Sequence, residues 1–190
     1  GMDRLQSYIE TAKKNPTNYN KNLAGNISKS LKLEDKDDWF FQKILIPTIT
    51  VYNKSYPKYS KDISILTDDA PYCLPSMWVN FQKQHEFNPV HDHGGVWSFV
   101  IWVKIPTDWR EQHTLPISAN SRAPVASDFE FQFSSMMGNL ASHSYPLDKE
   151  SEGIMLFFPS KLQHQVYPFY NCDEERISIS GNILFDPKSL

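Results

Sequence analysis

The sequence predicts a mainly β fold, a sandwich or jelly roll buttressed by helices at its N-terminal end, and three observations carry that prediction. Apolar residues recur at helical spacing only near the N-terminus. From about residue 44 onward, short segments rich in Ile, Val, Thr, Tyr, Phe and Trp alternate with clusters of Pro, Asn, Asp and Ser, the pattern of an all-β chain. Thirteen prolines against seven glycines point to turns set by proline, with no internal repeat or low-complexity tract between them.

Taken in order, Leu5, Tyr8, Ile9 and Ala12 fall on one face of a short helix from Asp3 to about Lys14. A second helical piece is expected from Leu23 to about Leu33. The run Glu34-Asp35-Lys36-Asp37-Asp38 then reads as a solvated turn. Strands are expected at Ile44 to Tyr52, Met77 to Gln82, Trp97 to Ile105, Phe129 to Ser134, Ile154 to Phe158, His164 to Phe169 and Arg176 to Leu184. In the fourth of these, Phe129, Phe131 and Phe133 alternate with Glu130 and Gln132, the period of a half-buried strand. Between Pro106 and Asp128 no period is visible, and the stretch is longer than an ordinary connection. Its Thr107 to Asp128 part is the leading sequence candidate for a substrate lid. The expected organisation is a single domain over 1–190. Residues 1–46 form a helical support and 47–190 the core of a double-stranded β-helix, a cupin-like jelly roll.

Composition narrows the function. With 40% hydrophobic and 22% charged residues the chain is globular, and at this length about 70% of the unfolded surface can be buried without covalent staples. Nineteen basic against 22 acidic residues give a net charge of −3, which argues against a nucleic-acid partner because phosphate neutralisation needs a basic patch. No run approaches the roughly 20 apolar residues that span a bilayer, and the N-terminus lacks the apolar core of a secretory signal. The expectation is a soluble, intracellular, cytoplasmic protein with no membrane partner. Gly1 before Met2 reads as an expression scar. Cys73 and Cys172 stand in no metal-ligand spacing and are expected to be structural thiols. Nothing in the pattern sets an oligomeric state.

The chemistry sits in the histidines. His91 and His93 lie in Asn88-Pro89-Val90-His91-Asp92-His93-Gly94-Gly95, at the mouth of a strong strand. In an extended chain residues i and i+2 point the same way, so both imidazoles can reach one point. His164 follows 71 positions after His93, beyond Ile154-Met155-Leu156-Phe157-Phe158-Pro159-Ser160. Two ligands from one strand end and a third from a distant strand is how a double-stranded β-helix builds a facial site for non-haem Fe(II), leaving coordination positions open. Asp92 faces away if the segment is extended and could replace His93 if it turns; the period-2 argument favours His91, His93 and His164. Zinc accepts three histidines too, so the ligand set does not name the metal.

Arg176 and Ser178 share a face of the last strand, and an arginine fork beside a hydroxyl suits a bidentate carboxylate. Asn80, on the strand before the site, is a candidate neighbour of the metal or its co-ligand, or else a partner for a turn. Trp97 and Trp102 are expected in the core or pocket wall. His85, His113 and His143 have no converging partner and are assigned surface or hydrogen-bonding roles.

Together, Met77-Trp78-Val79-Asn80, Asn88 to Gly95, Ser98-Phe99-Val100, Phe157-Phe158-Pro159-Ser160 with His164 and Val166-Tyr167-Pro168, and Arg176-Ile177-Ser178-Ile179-Ser180-Gly181-Asn182 resemble the Fe(II)/2-oxoglutarate-dependent oxygenases of phage and bacteria, enzymes similar to prolyl hydroxylases. The resemblance covers roughly residues 76 to 184. Phe99 stands where that family often has glycine, and its widely shared His-x-Asp is here His-x-His. The gap from His164 to Arg176 is about one residue longer than usual, which a turn through Tyr170 to Glu175 can absorb. The resemblance implies a jelly roll that binds Fe(II) through His91, His93 and His164. It implies 2-oxoglutarate chelated to the iron, its far carboxylate held by Arg176 and Ser178 with Asn80 nearby. It further implies release of succinate and carbon dioxide, hydroxylation of a peptide, amino acid or small molecule, and support of activity by ascorbate. Two other readings stay open: a metal-containing jelly-roll binding module without catalysis, and a three-histidine cupin-type dioxygenase that needs no 2-oxoglutarate.

Overall fold

Helix α1 (Met2–Lys14) forms where the apolar spacing predicts it and buries Leu5, Tyr8, Ile9 and Ala12 on one face. The computed structural model describes residues 1–57 and 71–186. Beyond α1 two expectations are corrected. The helix expected from Leu23 to Leu33 is instead a turn and a strand, β1 (Lys29–Leu33), which pairs antiparallel with β2 (Tyr72–Gln82). Leu23, Ile27 and Leu31 mimic a four-residue helical spacing, but sheet pairing buries Leu31 and Leu33 and overrides the local signal.

The strand expected from Ile44 to Tyr52 is helical. A π-helical turn, Phe41–Leu45, runs directly into α2 (Ile46–Ser55), so the helical layer extends beyond residue 46. The β-branched run Ile-Pro-Thr-Ile-Thr-Val looks like a strand by composition. In the helix, however, the Thr48 and Thr50 hydroxyls donate back to the carbonyls of Ile44 and Ile46, and Leu45 and Ile49 are buried one turn apart. Asp35, within the expected polar turn, starts this helical run by accepting from the backbone amides of Phe40 and Phe41 at 2.8 and 2.7 Å.

The remaining strands are β3 (Asn88–His91), β4 (Trp97–Lys104), β5 (Phe129–Ser134), β6 (Leu140–Tyr145), β7 (Met155–Pro159), β8 (Gln163–Val166) and β9 (Arg176–Phe185). They form two antiparallel sheets, one in the order β1-β2-β9-β4-β7 and the other β3-β8-β5-β6. From β2 to β9 the chain passes repeatedly between the two, which makes the eight strands a jelly roll with β1 added at one edge. Two short helices, α3 (Trp109–Thr114) and α4 (Pro116–Ala119), occupy the stretch in which no period was visible. Among the described residues no helix is long and apolar enough to cross a membrane, and Cys73 and Cys172 form no disulfide.

The larger sheet has two unlike faces. Val79, Phe81, Leu31, Ile179 and Ile183 pack with α1, α2 and the π-helical turn in the first core, together with Trp97 and Phe99. On the other face Val100 and Trp102 meet Phe129, Phe131, Leu147 and Phe158 in a second core between the sheets. Phe133, at the end of β5, is 44% exposed, so the predicted aromatic alternation is buried only over its first two members. Phe99 is opposite Gly181 in register, and a Cβ on Gly181 would lie 2.7 Å from the Phe99 ring and 2.9 Å from the Ser76 carbonyl. The large side chain at 99 is accommodated by the absence of one at 181.

Candidate metal centre

Three imidazoles converge between the sheets. His91 ends β3 and stands opposite His164 of β8 in register. His93, two residues further on, is anchored by its backbone amide, which donates to the Ser160 carbonyl at 2.9 Å. One ring nitrogen from each of the three lies within 4.8 Å of the others, and His93 Nε2 and His164 Nε2 are 3.2 Å apart. Two nitrogens bound at about 2.1 Å to a common ion at roughly a right angle have about this separation. Asp92 is not one of the three converging groups: it borders the same cavity, but its carboxylate accepts from Lys161 Nζ at 3.0 Å.

The rings are oriented before any ligand arrives. His91 Nδ1 lies 2.7 Å from the Pro89 carbonyl and His164 Nδ1 2.9 Å from the Leu162 carbonyl. A carbonyl only accepts, so both Nδ1 atoms carry the proton and both Nε2 atoms present a lone pair to the cluster. Burial, helped by the neighbouring imidazoles, pushes His93 down to about 3 and His164 to about 4, so both are neutral across the physiological range. Phe129 stacks on His164 at 5.6 Å and Trp78 lies 5.9 Å from His93, which locks the rings and dries their surroundings.

The same cavity, about 250 Å³, is lined by Arg176, Ser178, Ser180 and Asn182 of β9, successive members of the face turned away from the helices. Arg176 is 2% exposed. Its Nη2 donates to the Ser127 carbonyl at 2.9 Å and to Ser127 Oγ at 2.6 Å, and its guanidinium lies 5.0 Å over the Phe169 ring. Among the described residues Nε and Nη1 have no hydrogen-bond partner. Burial pushes the guanidinium down to about 10, with Asp128 pulling the other way, so it stays charged at neutral pH. Asn80 is 5% exposed and accepts from Ser30 Oγ at 2.6 Å through Oδ1, so it both braces β1 and lines the cavity. Ser178 is level with Asn80 across the β2–β9 pair.

Several residues of this region carry no local signal in the sequence. Ser127 meets Arg176 across 49 positions. Ser98 Oγ donates to Asn182 Oδ1 at 2.8 Å and lies 2.9 Å from Ser160 Oγ, a buried cluster assembled from three strands or their ends. His113, given no partner in sequence, is 2.9 Å from buried Asp128 through Nε2. The expected lid also differs. Among the described residues the cavity wall is completed by Tyr19, Asn22, Leu23, Ala24, Gly25 and Ile27, and no residue between 107 and 128 lines it. Tyr19 is held there by stacking on Trp78 at 5.5 Å.

A family model described as 2OG-Fe(II) oxygenase matches residues 76–182, more than half of the chain. No curated protein is significantly similar to it in sequence. Among solved structures, a 2OG-Fe(II) oxygenase-family oxidoreductase from Burkholderia pseudomallei aligns with 14% identity and a TM-score of 0.40 over 73% of this chain and 55% of that one. The chain thus spans about half the length of the Burkholderia protein. A Pseudomonas putida prolyl-4-hydroxylase aligns with 10% identity and a TM-score of 0.46 over 98% of this chain and 88% of its own. A cupin domain from Bordetella pertussis gives 12% identity and a TM-score of 0.32 over 60% and 92%.

Proposed function

The chain belongs to the 2OG-Fe(II) oxygenase family, and from that membership we propose that it hydroxylates a peptide, amino acid or other small molecule, with Fe(II) on His91, His93 and His164 and 2-oxoglutarate on Arg176, Ser178 and Asn80. The observation that carries the reading is Arg176: a buried guanidinium, two of its nitrogens without hydrogen-bond partners among the described residues, in the same cavity as three convergent imidazoles. A buried cation is costly unless an anion answers it. Among the described residues no carboxylate makes an ion pair or hydrogen bond with it: its hydrogen-bond partners are the Ser127 oxygens, and Asp128 acts on it only through space. A ligand with a chelating end and a distant carboxylate satisfies both halves of the cavity.

When bound, Fe(II) and 2-oxoglutarate supply the oxidative decarboxylation that consumes one dioxygen, releases succinate and carbon dioxide, and leaves one oxygen atom for a substrate C–H bond. The chain's own residues do the positioning. His91, His93 and His164 would hold the ion, and a three-residue set would leave it room for small ligands. The Pro89 and Leu162 carbonyls hold two of those imidazoles in the ligating tautomer. Arg176 fixes the far end of the co-substrate, and Phe129, Phe158 and Trp78 exclude water around the rings.

The test is succinate release by protein reconstituted anaerobically with Fe(II) and then exposed to oxygen with 2-oxoglutarate and ascorbate. Slow release without a prime substrate is expected, lost in His164→Ala with an unchanged circular dichroism spectrum. Oxygen uptake that ignores 2-oxoglutarate would replace this reading with the three-histidine dioxygenase; metal binding with neither activity would leave a binding module.

A further inference from the structure

The Arg176 fork is aimed from behind by a residue on the opposite sheet's approach. Ser127 precedes β5 by two positions and is wholly buried. Its carbonyl and its hydroxyl both accept from Nη2, the one guanidinium nitrogen with a hydrogen-bond partner among the described residues. Its backbone has a φ of 75°, a left-handed conformation that a non-glycine residue adopts only when its surroundings impose it. Those surroundings are present. The Ser127 amide donates to the Pro168 carbonyl, the Asp128 carbonyl accepts from the Tyr167 amide, and Thr107 Oγ1 is 3.3 Å from Ser127 Oγ. From outside, α3 clamps both flanks: His113 bonds Asp128, and Gln112 pairs through both of its amide atoms with the backbone of Tyr170. Tyr170 follows Phe169, whose ring lies under the guanidinium.

We infer that Ser127 is the positioning residue for the co-substrate's distal carboxylate: by taking up Nη2 in a strained, clamped turn it fixes the plane of the guanidinium and leaves the Nε and Nη1 hydrogens for the ligand. The inference rests on the functional reading above and assigns the stretch before β5 a supporting task behind the cavity, where the sequence had placed a lid.

The experiment is calorimetric titration of the full, Mn(II)-loaded chain with 2-oxoglutarate and, separately, with oxalate, which offers the metal two chelating oxygens but has no distal carboxylate. Ser127→Gly suits the positive φ, whereas Ser127→Ala keeps the strain; both remove the hydroxyl. Each variant is expected to bind 2-oxoglutarate about tenfold more weakly, the loss of one charge-assisted bond. Oxalate should stay within about twofold of wild type, and the glycine variant should melt at or above the alanine one. A merely structural role would weaken both ligands together or neither. If Arg176→Met loses 2-oxoglutarate while Ser127→Gly retains it, the assignment of Ser127 falls and the cavity reading stands. If wild type binds no 2-oxoglutarate, or Arg176→Met binds it as well as wild type, the cavity reading fails and takes this inference with it.

Discussion

Replacing Arg176 with methionine should separate stability from ligand affinity. The guanidinium is 2% exposed and its pKa is pushed from 12.5 to about 10 by burial, so holding it charged costs the fold on the order of 3 kcal/mol. The cost is present throughout the neutral range, because both folded and unfolded arginine are protonated below about pH 10. Methionine has similar length, removes that cost, and forfeits two bonds to Ser127 worth about 1.5 kcal/mol each at the low end of charge-assisted bonds. The two effects nearly cancel, so the melting temperature should move by less than about 5 °C. Affinity for 2-oxoglutarate has no such compensation. Loss of the Nε and Nη1 donors, again about 3 kcal/mol, weakens binding by about a hundredfold. Differential scanning calorimetry and titration of the Mn(II)-loaded protein measure the two quantities. Retention of 2-oxoglutarate within about threefold would refute the assignment of the buried cation to the co-substrate. A fall of more than about 10 °C would show the guanidinium to be part of the scaffold.

Three further outcomes follow from the geometry. His164→Ala and His93→Ala should each lower Mn(II) affinity by at least about a hundredfold, while Asp92→Asn, whose carboxylate faces Lys161, should leave it within about threefold by equilibrium dialysis. Gly181→Ala forces a methyl against Phe99 and the Ser76 carbonyl and should cost about 1–3 kcal/mol; adding Phe99→Leu should restore only part of the lost melting temperature, because the Ser76 carbonyl stays in place. Glu130 is pushed up by burial but held below the usual carboxylate range by bonds from Gln132, Gln165, Ser144 and Tyr167, which outweigh it. The stability it contributes is therefore present above about pH 4.3, the unfolded value, and is lost as pH falls through the lower folded value. Glu130→Gln should accordingly flatten the decline of melting temperature between about pH 5 and pH 3.

The legible parts of this molecule were those in which period and chemistry agree. Strands β2, β4, β5, β7, β8 and β9 stood where alternation or apolar runs placed them, and the spacing of His91 and His93 put both rings on one side of an extended segment. The failures have physical causes. Leu31 belongs to two periods at once, and only the partner strand decides between them. The Ile-Thr-Val run of α2 has the composition of a strand but satisfies its hydroxyls along a helix. Strands β3 and β6 are short and poor in buried apolar residues, and exist through pairing with β8 and β5. Ser127, Ser98 and Ser160 acquire roles only through partners 49 to 84 positions away, distances over which a serine carries no recognisable pattern.

The last strand serves as a partition between two environments, and its order of side chains is read in pairs. Arg176, Ser178, Ser180 and Asn182 go one way and Ile177, Ile179, Gly181 and Ile183 the other. One residue inserted or deleted within it would exchange the two sets, lodging an arginine against the helices and isoleucines beside the imidazoles. Length variation among related genes should therefore be confined to the turn ahead of Arg176 and absent from the eight positions that follow.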